Sequence, residues 1–247
     1  MKKTPSPQPA KIESFDLPPG RILARKYEIL GFVGSGWQGE VYMIRERATG
    51  IERAVKLFFP HRNANDKTAV FYARKLHKLR SCPILIQYHN QEKIRCKGQD
   101  ITCLISDFVE GELLSEFLLH QPEERLPVFE GLHLLNTLAA GVQQIHTQGE
   151  YHGDLHADNV IIRRYGLGFE IKLVDLFHWG GRKRENIQED VFDLIRLFYD
   201  AIGGKTYYAG HPPIVKQICC GLKKSLIAKK FKTAGHLRKF LETMEWD

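Results

Sequence analysis

Gly34-Ser35-Gly36-Trp37-Gln38-Gly39-Glu40-Val41 reads G-x-G-x-x-G-x-V, and its flanks decide which fold it belongs to. Tyr27 to Val33 ahead of it and Glu40 to Ile44 behind it are both short apolar segments of strand character, so the glycines turn one strand into the next. A dinucleotide-binding fold would open a helix at the last glycine. A hairpin flap can instead fold its backbone N–H groups over ATP phosphates. A glycine-rich turn in an antiparallel sheet is often only a turn, so the reading needs support from elsewhere in the chain.

Working outward, Ile51 to Phe58, Ile84 to Tyr88 and Ile101 to Ser106 read as further strands, with one helix inserted near Lys67 to Leu79. After Gly111 the period lengthens. Leu135, Leu138, Ala139, Val142 and Ile145 recur at the spacing of one helical face, as do Val191, Leu194, Ile195, Phe198 and Ile202 ahead of Gly203 and Gly204. A third helix is expected from Thr233, as N-cap, through Leu237, Phe240 and Leu241. The fold class is therefore α+β: an N-terminal antiparallel sheet plus one helix, then a mostly helical C-terminal part. Residues 1–20, with Pro5, Pro7, Pro9, Pro18 and Pro19 among Lys and Ser, are expected to form a flexible leader.

The 247 residues, 43% of them apolar, suffice for one large domain or two small lobes. Five cysteines without C-x-x-C spacing point away from a zinc site or disulfide framework and towards a reducing, cytoplasmic setting. No apolar run approaches membrane-spanning length, and no hydrophobic signal core follows Lys2 and Lys3, so a soluble chain that is not exported is expected. The formal charge is +7, but the basic residues are spread, with small clusters at Arg182 to Arg184 and Lys229 to Lys232. That distribution suits solvated faces better than a nucleic-acid partner.

Ala54-Val55-Lys56 places a lysine between apolar strand neighbours, where burial calls for a charged partner such as a phosphate; an exposed strand lysine is the alternative. His152-Gly153-Asp154-Leu155-His156-Ala157-Asp158-Asn159 follows the long amphipathic helix and precedes the apolar run Val160-Ile161-Ile162. A polar loop with turn-forming Asp and Asn is its plain reading. Lys172-Leu173-Val174-Asp175 ends a short strand on a carboxylate, which could equally cap a turn.

Together these stretches resemble the protein kinase-like superfamily, most closely the bacterial relatives of eukaryotic serine/threonine kinases, over most of the chain. The resemblance implies a bilobal fold, with an N-lobe over 21–106, a hinge over 107–111 and a C-lobe over 112–247. It implies ATP and Mg²⁺ as cofactors and a protein substrate, with the γ-phosphoryl passing to a hydroxyl. By resemblance Asp154 is the catalytic base and Lys56 holds the phosphates, while Asn159 and Asp175 ligate Mg²⁺. Gly34, Gly36 and Gly39 form the flap; Val33, Val41, Ala54 and Ile161 sandwich the base; Asp107 and Val109 meet it through backbone groups, with Ser106 as gatekeeper. Asp190 would hold the catalytic-loop backbone from the start of a buried helix.

The chain departs from the family pattern at five places. The family pairs its strand lysine with a glutamate on the inserted helix, yet that slot falls near Tyr72 or Ala73, and no Glu lies between Arg53 and Gln91. Lys56 then uses another carboxylate such as Asp175, or meets the phosphates alone. Asp175 is followed by Leu176-Phe177 and not Phe-Gly, so the segment lacks the glycine that lets it flip. Gly153 replaces the arginine that would pair a phosphorylated activation loop. The stretch Leu176 to Glu189, with Gly180 and Gly181, is too short for the usual peptide platform, and His156 stands where serine/threonine kinases keep a lysine. Two alternatives stay open: a small-molecule kinase, because H-G-D-L-H-x-D-N also resembles the aminoglycoside phosphotransferase loop, and a nucleotide-binding pseudokinase.

Overall fold

A computed structural model describes residues 11–166, 168–177, 180 and 182–245. The chain divides into two units: one holds the residues through Lys78 together with Ile86–Phe108, and the other holds Leu79–Leu85 and the residues from Val109 onward.

The first unit is a six-stranded antiparallel sheet. Its strands are β1 (Ile22–Leu23), β2 (Tyr27–Gly36), β3 (Gly39–Glu46), β4 (Glu52–Phe58), β5 (Tyr88–Cys96) and β6 (Gln99–Asp107), in the order β1-β2-β3-β4-β6-β5. Helix α1 (Lys67–Lys78) is inserted between β4 and β5, as the sequence predicts. The two-residue period sorts the side chains. Tyr42, Ile44, Val55, Leu57 and Ile105 are buried in an apolar cluster on one face. Val41 pairs across from Lys56 and Met43 from Ala54, so these four share the opposite, half-buried face.

Two expectations change in this unit. Of the supposed flexible leader 1–20, residues 1–10 lie outside the described residues. Residues 11–17 are docked: Ile12, Phe15 and Leu17 are buried in that apolar cluster, Phe15 stacks on Phe59 at 5.3 Å, and Lys97 Nζ reaches Asp16 at 2.6 Å. The prolines disfavour regular structure, but three apolar side chains within six residues have an apolar sheet face to cover. The strand expected over Ile84 to Tyr88 instead begins at Tyr88. Ile84 and Leu85 belong to the second unit, where Leu173 N–H donates to Ile84 O at 2.7 Å. The real strand, β5, is a largely polar sheet edge, so apolar runs do not reveal it.

The second unit is mainly helical. It comprises β7 (Glu112–Leu113), α2 (Leu114–Leu119), α3 (Val128–Thr147), β8 (Val160–Tyr165), β9 (Gly168–Leu173), α4 (Lys183–Ala201), α5 (Gly204–Tyr207), α6 (Pro213–Cys219), α7 (Lys224–Lys230) and α8 (Ala234–Thr243). Strands β7, β8 and β9 form a small antiparallel sheet. Leu135, Leu138, Ala139, Val142 and Ile145 of α3 are fully buried, as are Val191, Leu194, Ile195 and Phe198 of α4. Helix α4 begins about two turns ahead of Asp190, so Lys183 to Glu189 are helical. Of the rest of that short stretch, His178, Trp179 and Gly181 lie outside the described residues. Thr233 occupies the N-cap of α8 with an extended backbone, but its hydroxyl meets His236 Nδ1 at 2.8 Å and not a backbone N–H.

Candidate active site

The expected site residues divide between the units. In the first, β2 and β3 form the glycine hairpin, with Gly36 paired to Gly39 and a register shift between Phe32 and Gly34 that leaves Val33 as the bulged, exposed residue. Gly39 is demanded by the protein itself, because a Cβ there would lie 1.8 Å from Leu57 O. Gly34 and Gly36 are not: a Cβ on either meets nothing within 4 Å, so the hairpin tip presents bare backbone to open space. Ser106 is buried and pairs across from Ala54. The Asp107 carboxylate is engaged by Arg53 at 2.8 Å and His89 at 2.6 Å, and its N–H donates to Gln87 O.

Lys56 extends from the half-buried face of β4, its ammonium 5.0 Å from the centroid of the Tyr72 ring and 5.6 Å from that of Phe58. Tyr72 on α1 thus stands at the lysine where the sequence pattern leads one to look for a glutamate. The sequence marked the slot but not its occupant's role.

In the second unit, one buried carboxylate organises the loop between α3 and β8. Asp190, fully buried on α4, accepts the N–H of His152 at 2.7 Å and of Gly153 at 2.8 Å, and also meets His146 Nε2 at 3.0 Å. Gly153 sits at φ 89°, and a Cβ there would come 2.8 Å from Phe177 O. The arginine that the resemblance implies at this position is therefore excluded by backbone geometry as well as by space.

The same loop brings Asp154, His156 and Asn159 together. Asn159 Nδ2 donates to Asp154 O at 2.8 Å and Asp154 Oδ2 at 3.2 Å, and lies 2.9 Å from His156 Nε2. Its amide oxygen consequently faces away from Asp154. The neighbouring His156 imidazole holds the Asp154 carboxyl below its usual range, and the Asp154 carboxylate in turn raises the imidazole. Asp158 Oδ2 is 3.6 Å from the other imidazole nitrogen.

Two backbone bonds tie Asp175 to this loop: Val174 N–H donates to Asn159 O at 3.0 Å and Phe177 N–H to His152 O at 2.9 Å. Asp175 itself lies just past β9 with φ 56°, a left-handed backbone that a residue with a Cβ adopts only under tertiary constraint. The oxygen donors on offer, a carboxylate and an amide, suit a hard divalent cation that completes its shell with phosphate and water oxygens. Among the described residues no three His, Cys, Asp or Glu side chains group as an all-protein metal cage. Val109 and Ile161 are half-buried apolar residues of this unit.

A flap hairpin, a strand lysine and an aspartate-held loop carrying Asp154 and Asn159 define a kinase-type domain. Residues 27–209 match the protein kinase domain, and the chain belongs to that family. It is 31% identical over 160 residues to the serine/threonine-protein kinase pkn2 of Myxococcus xanthus, covering 64% of this chain and 18% of that protein. It is 29% identical over 153 residues to a putative cyclin-dependent kinase F-2 of Oryza sativa subsp. japonica, covering 61% and 46% respectively. The chain thus spans less than half the length of either relative. The crystal structure of the Mycobacterium tuberculosis PknI kinase domain shares the fold at a TM-score of 0.67 and 18% identity, over 92% of this chain and 98% of that one. Members of the family use ATP with a divalent metal.

Proposed function

We propose that this chain is a serine/threonine protein kinase that transfers the γ-phosphoryl group of Mg·ATP to a protein hydroxyl. The observation that carries the reading is the loop fixed by Asp190, which sets Asp154, Asn159 and Asp175 in one bonded group. Mg·ATP, when bound, supplies the phosphoryl group. Asp154 orients the acceptor hydroxyl and takes its proton; His156 pairs with this carboxylate and favours its ionised form, and Asn159 Nδ2 fixes its direction. Asn159 Oδ1 and the Asp175 carboxylate would hold Mg²⁺. Lys56 sets its ammonium against phosphate charge, and the bare backbone at Gly34 and Gly36 offers N–H groups to phosphate oxygens. Val33, Val41, Ala54, Val109 and Ile161 would enclose the base, with Asp107 and Val109 meeting it through backbone groups.

Five cysteines without a disulfide, four of them buried, fit a reducing compartment, and we place the protein in the cytoplasm. No helix among the described residues is long and apolar enough to cross a membrane. The test is incubation of the pure protein with labelled Mg·ATP, alone, with a generic protein and with a small-molecule panel. Label on serine or threonine supports the reading. Label on small molecules alone, or Mg·ATP binding without transfer to anything, overturns it.

A further inference from the structure

The glycine hairpin carries little core at its tip: Ser35, Gly36 and Trp37 are exposed, and burial begins at Gly39 and Glu40. Where the tip sits is therefore decided at its root. Glu40 lies opposite Ser35 in the ladder, and its buried carboxylate accepts the Phe15 N–H at 3.0 Å and the Tyr42 hydroxyl at 2.5 Å. The Phe15 ring stacks on Phe59 at 5.3 Å, and Phe59 N–H donates to Gln38 O at 2.9 Å. Arg62 N–H in turn donates to Phe59 O at 2.9 Å, and the Arg62 guanidinium lies 4.1 Å from the centroid of the Trp37 ring. Phe15 thus reaches the hairpin twice, through its backbone at Glu40 and through its ring at Phe59. At the far edge of the sheet, Lys97 Nζ on the turn between β5 and β6 fixes the same segment at Ser14 O (2.8 Å) and Asp16 (2.6 Å).

We propose that residues 11–17 are a strap that sets the position of the glycine flap, with Phe15 as the positioning residue. A buried carboxylate that loses one of its two donors is stabilised by admitting water. A hairpin root opened in that way no longer fixes the exposed tip beyond it. With the strap docked, the backbone N–H groups at Gly34 and Gly36 are held in one arrangement before a phosphate arrives, so less ordering remains to be done on binding. The consequence for nucleotide binding rests on the kinase reading above; the bracing of the hairpin does not.

The experiment compares Phe15→Ala and Phe15→Leu with the parent in the full chain, at a temperature where each is folded. NMR relaxation gives backbone order parameters for Gly36 to Glu40, with β6 as the internal reference, and calorimetry gives the Kd for Mg·ATP. In Phe15→Ala the flap order parameters fall from about 0.85 towards 0.6 while those of β6 hold, and the Kd rises about fivefold. Phe15→Leu, which keeps the site apolar but removes the ring stack, gives a smaller change of the same pattern. A flap that stays rigid in Phe15→Ala, or order parameters that fall equally across the sheet, overturns the proposal, as does a loosened flap with an unchanged Kd. Should Phe15→Ala fail to fold, Phe15→Leu carries the test, and a flap unmoved by it overturns the proposal. If the flap loosens as expected while the parent binds no Mg·ATP, the kinase reading fails and the strap stands.

Discussion

The backbone N–H of Phe15 donates to the buried carboxylate of Glu40 over 3.0 Å, fastening the segment ahead of the sheet to the residue that follows the last flap glycine. Tyr42 adds its hydroxyl to the same carboxylate at 2.5 Å, and burial raises that hydroxyl well above its usual range, which keeps it a donor. Phe15→Ala is expected to cost about 3–5 kcal/mol in urea unfolding, the range for emptying a buried aromatic site. Glu40→Ala, which strands both donors, costs about 1–3 kcal/mol. No loss with Phe15→Ala would mean that the segment does not dock.

Asp190 reaches no part of the proposed chemistry, yet it holds two loop N–H groups and His146. Asp190→Ala should destabilise by roughly 3–5 kcal/mol, because the partners of a fully buried charge are left without it. In whatever fraction stays folded, kcat for transfer should fall much more than ATP affinity, since the loop carrying Asp154 loses its anchor. Equal falls in both would assign Asp190 to general stability alone.

Asp193 gives the fold a pH dependence of its own. Burial, with Glu189 and Asp190 nearby, pushes its carboxyl up to about 7. A raised folded value means the protonated form is favoured on folding, so its contribution is full below the ordinary value near 4 and is lost as pH rises to about 7. Asp193→Asn should match the parent in thermal midpoint near pH 4 and exceed it by a growing margin up to pH 7. A constant difference across that range would refute the shifted titration.

Asp154→Asn keeps the loop's shape but cannot accept the hydroxyl's proton. It should bind Mg·ATP as the parent does and lose about 10² to 10⁴ in transfer rate, measured in single turnover. Transfer at the parent rate would remove Asp154 from the role of base.

Asp175→Ala should abolish the metal-dependent part of ATP affinity in calorimetric titrations with and without Mg²⁺, and Asn159→Ala should weaken it less, its oxygen being neutral. Undiminished metal dependence in Asp175→Ala would place the ion on other ligands.

Much of this protein was legible because local periodicity marks an element wherever one face is buried. The alternating runs of β2, β3 and β4, the continuous apolar run of β6 and the helical stripes of α3 and α4 mark their buried faces in that way. The loop motif at His152 to Asn159 was equally visible, since its residue types are rare together and its flanks fix its setting. What the sequence could not decide were the matters settled by distant surfaces. Whether residues 11–17 are free or docked depends on the apolar face they meet, and β5, a polar edge, is defined only by its hydrogen bonds to β6. Likewise the missing glutamate could be read from the chain, but the ring beside Lys56 could not. Cation–ring contact depends on where α1 is set down on the sheet, and that is an outcome of packing between elements far apart in sequence.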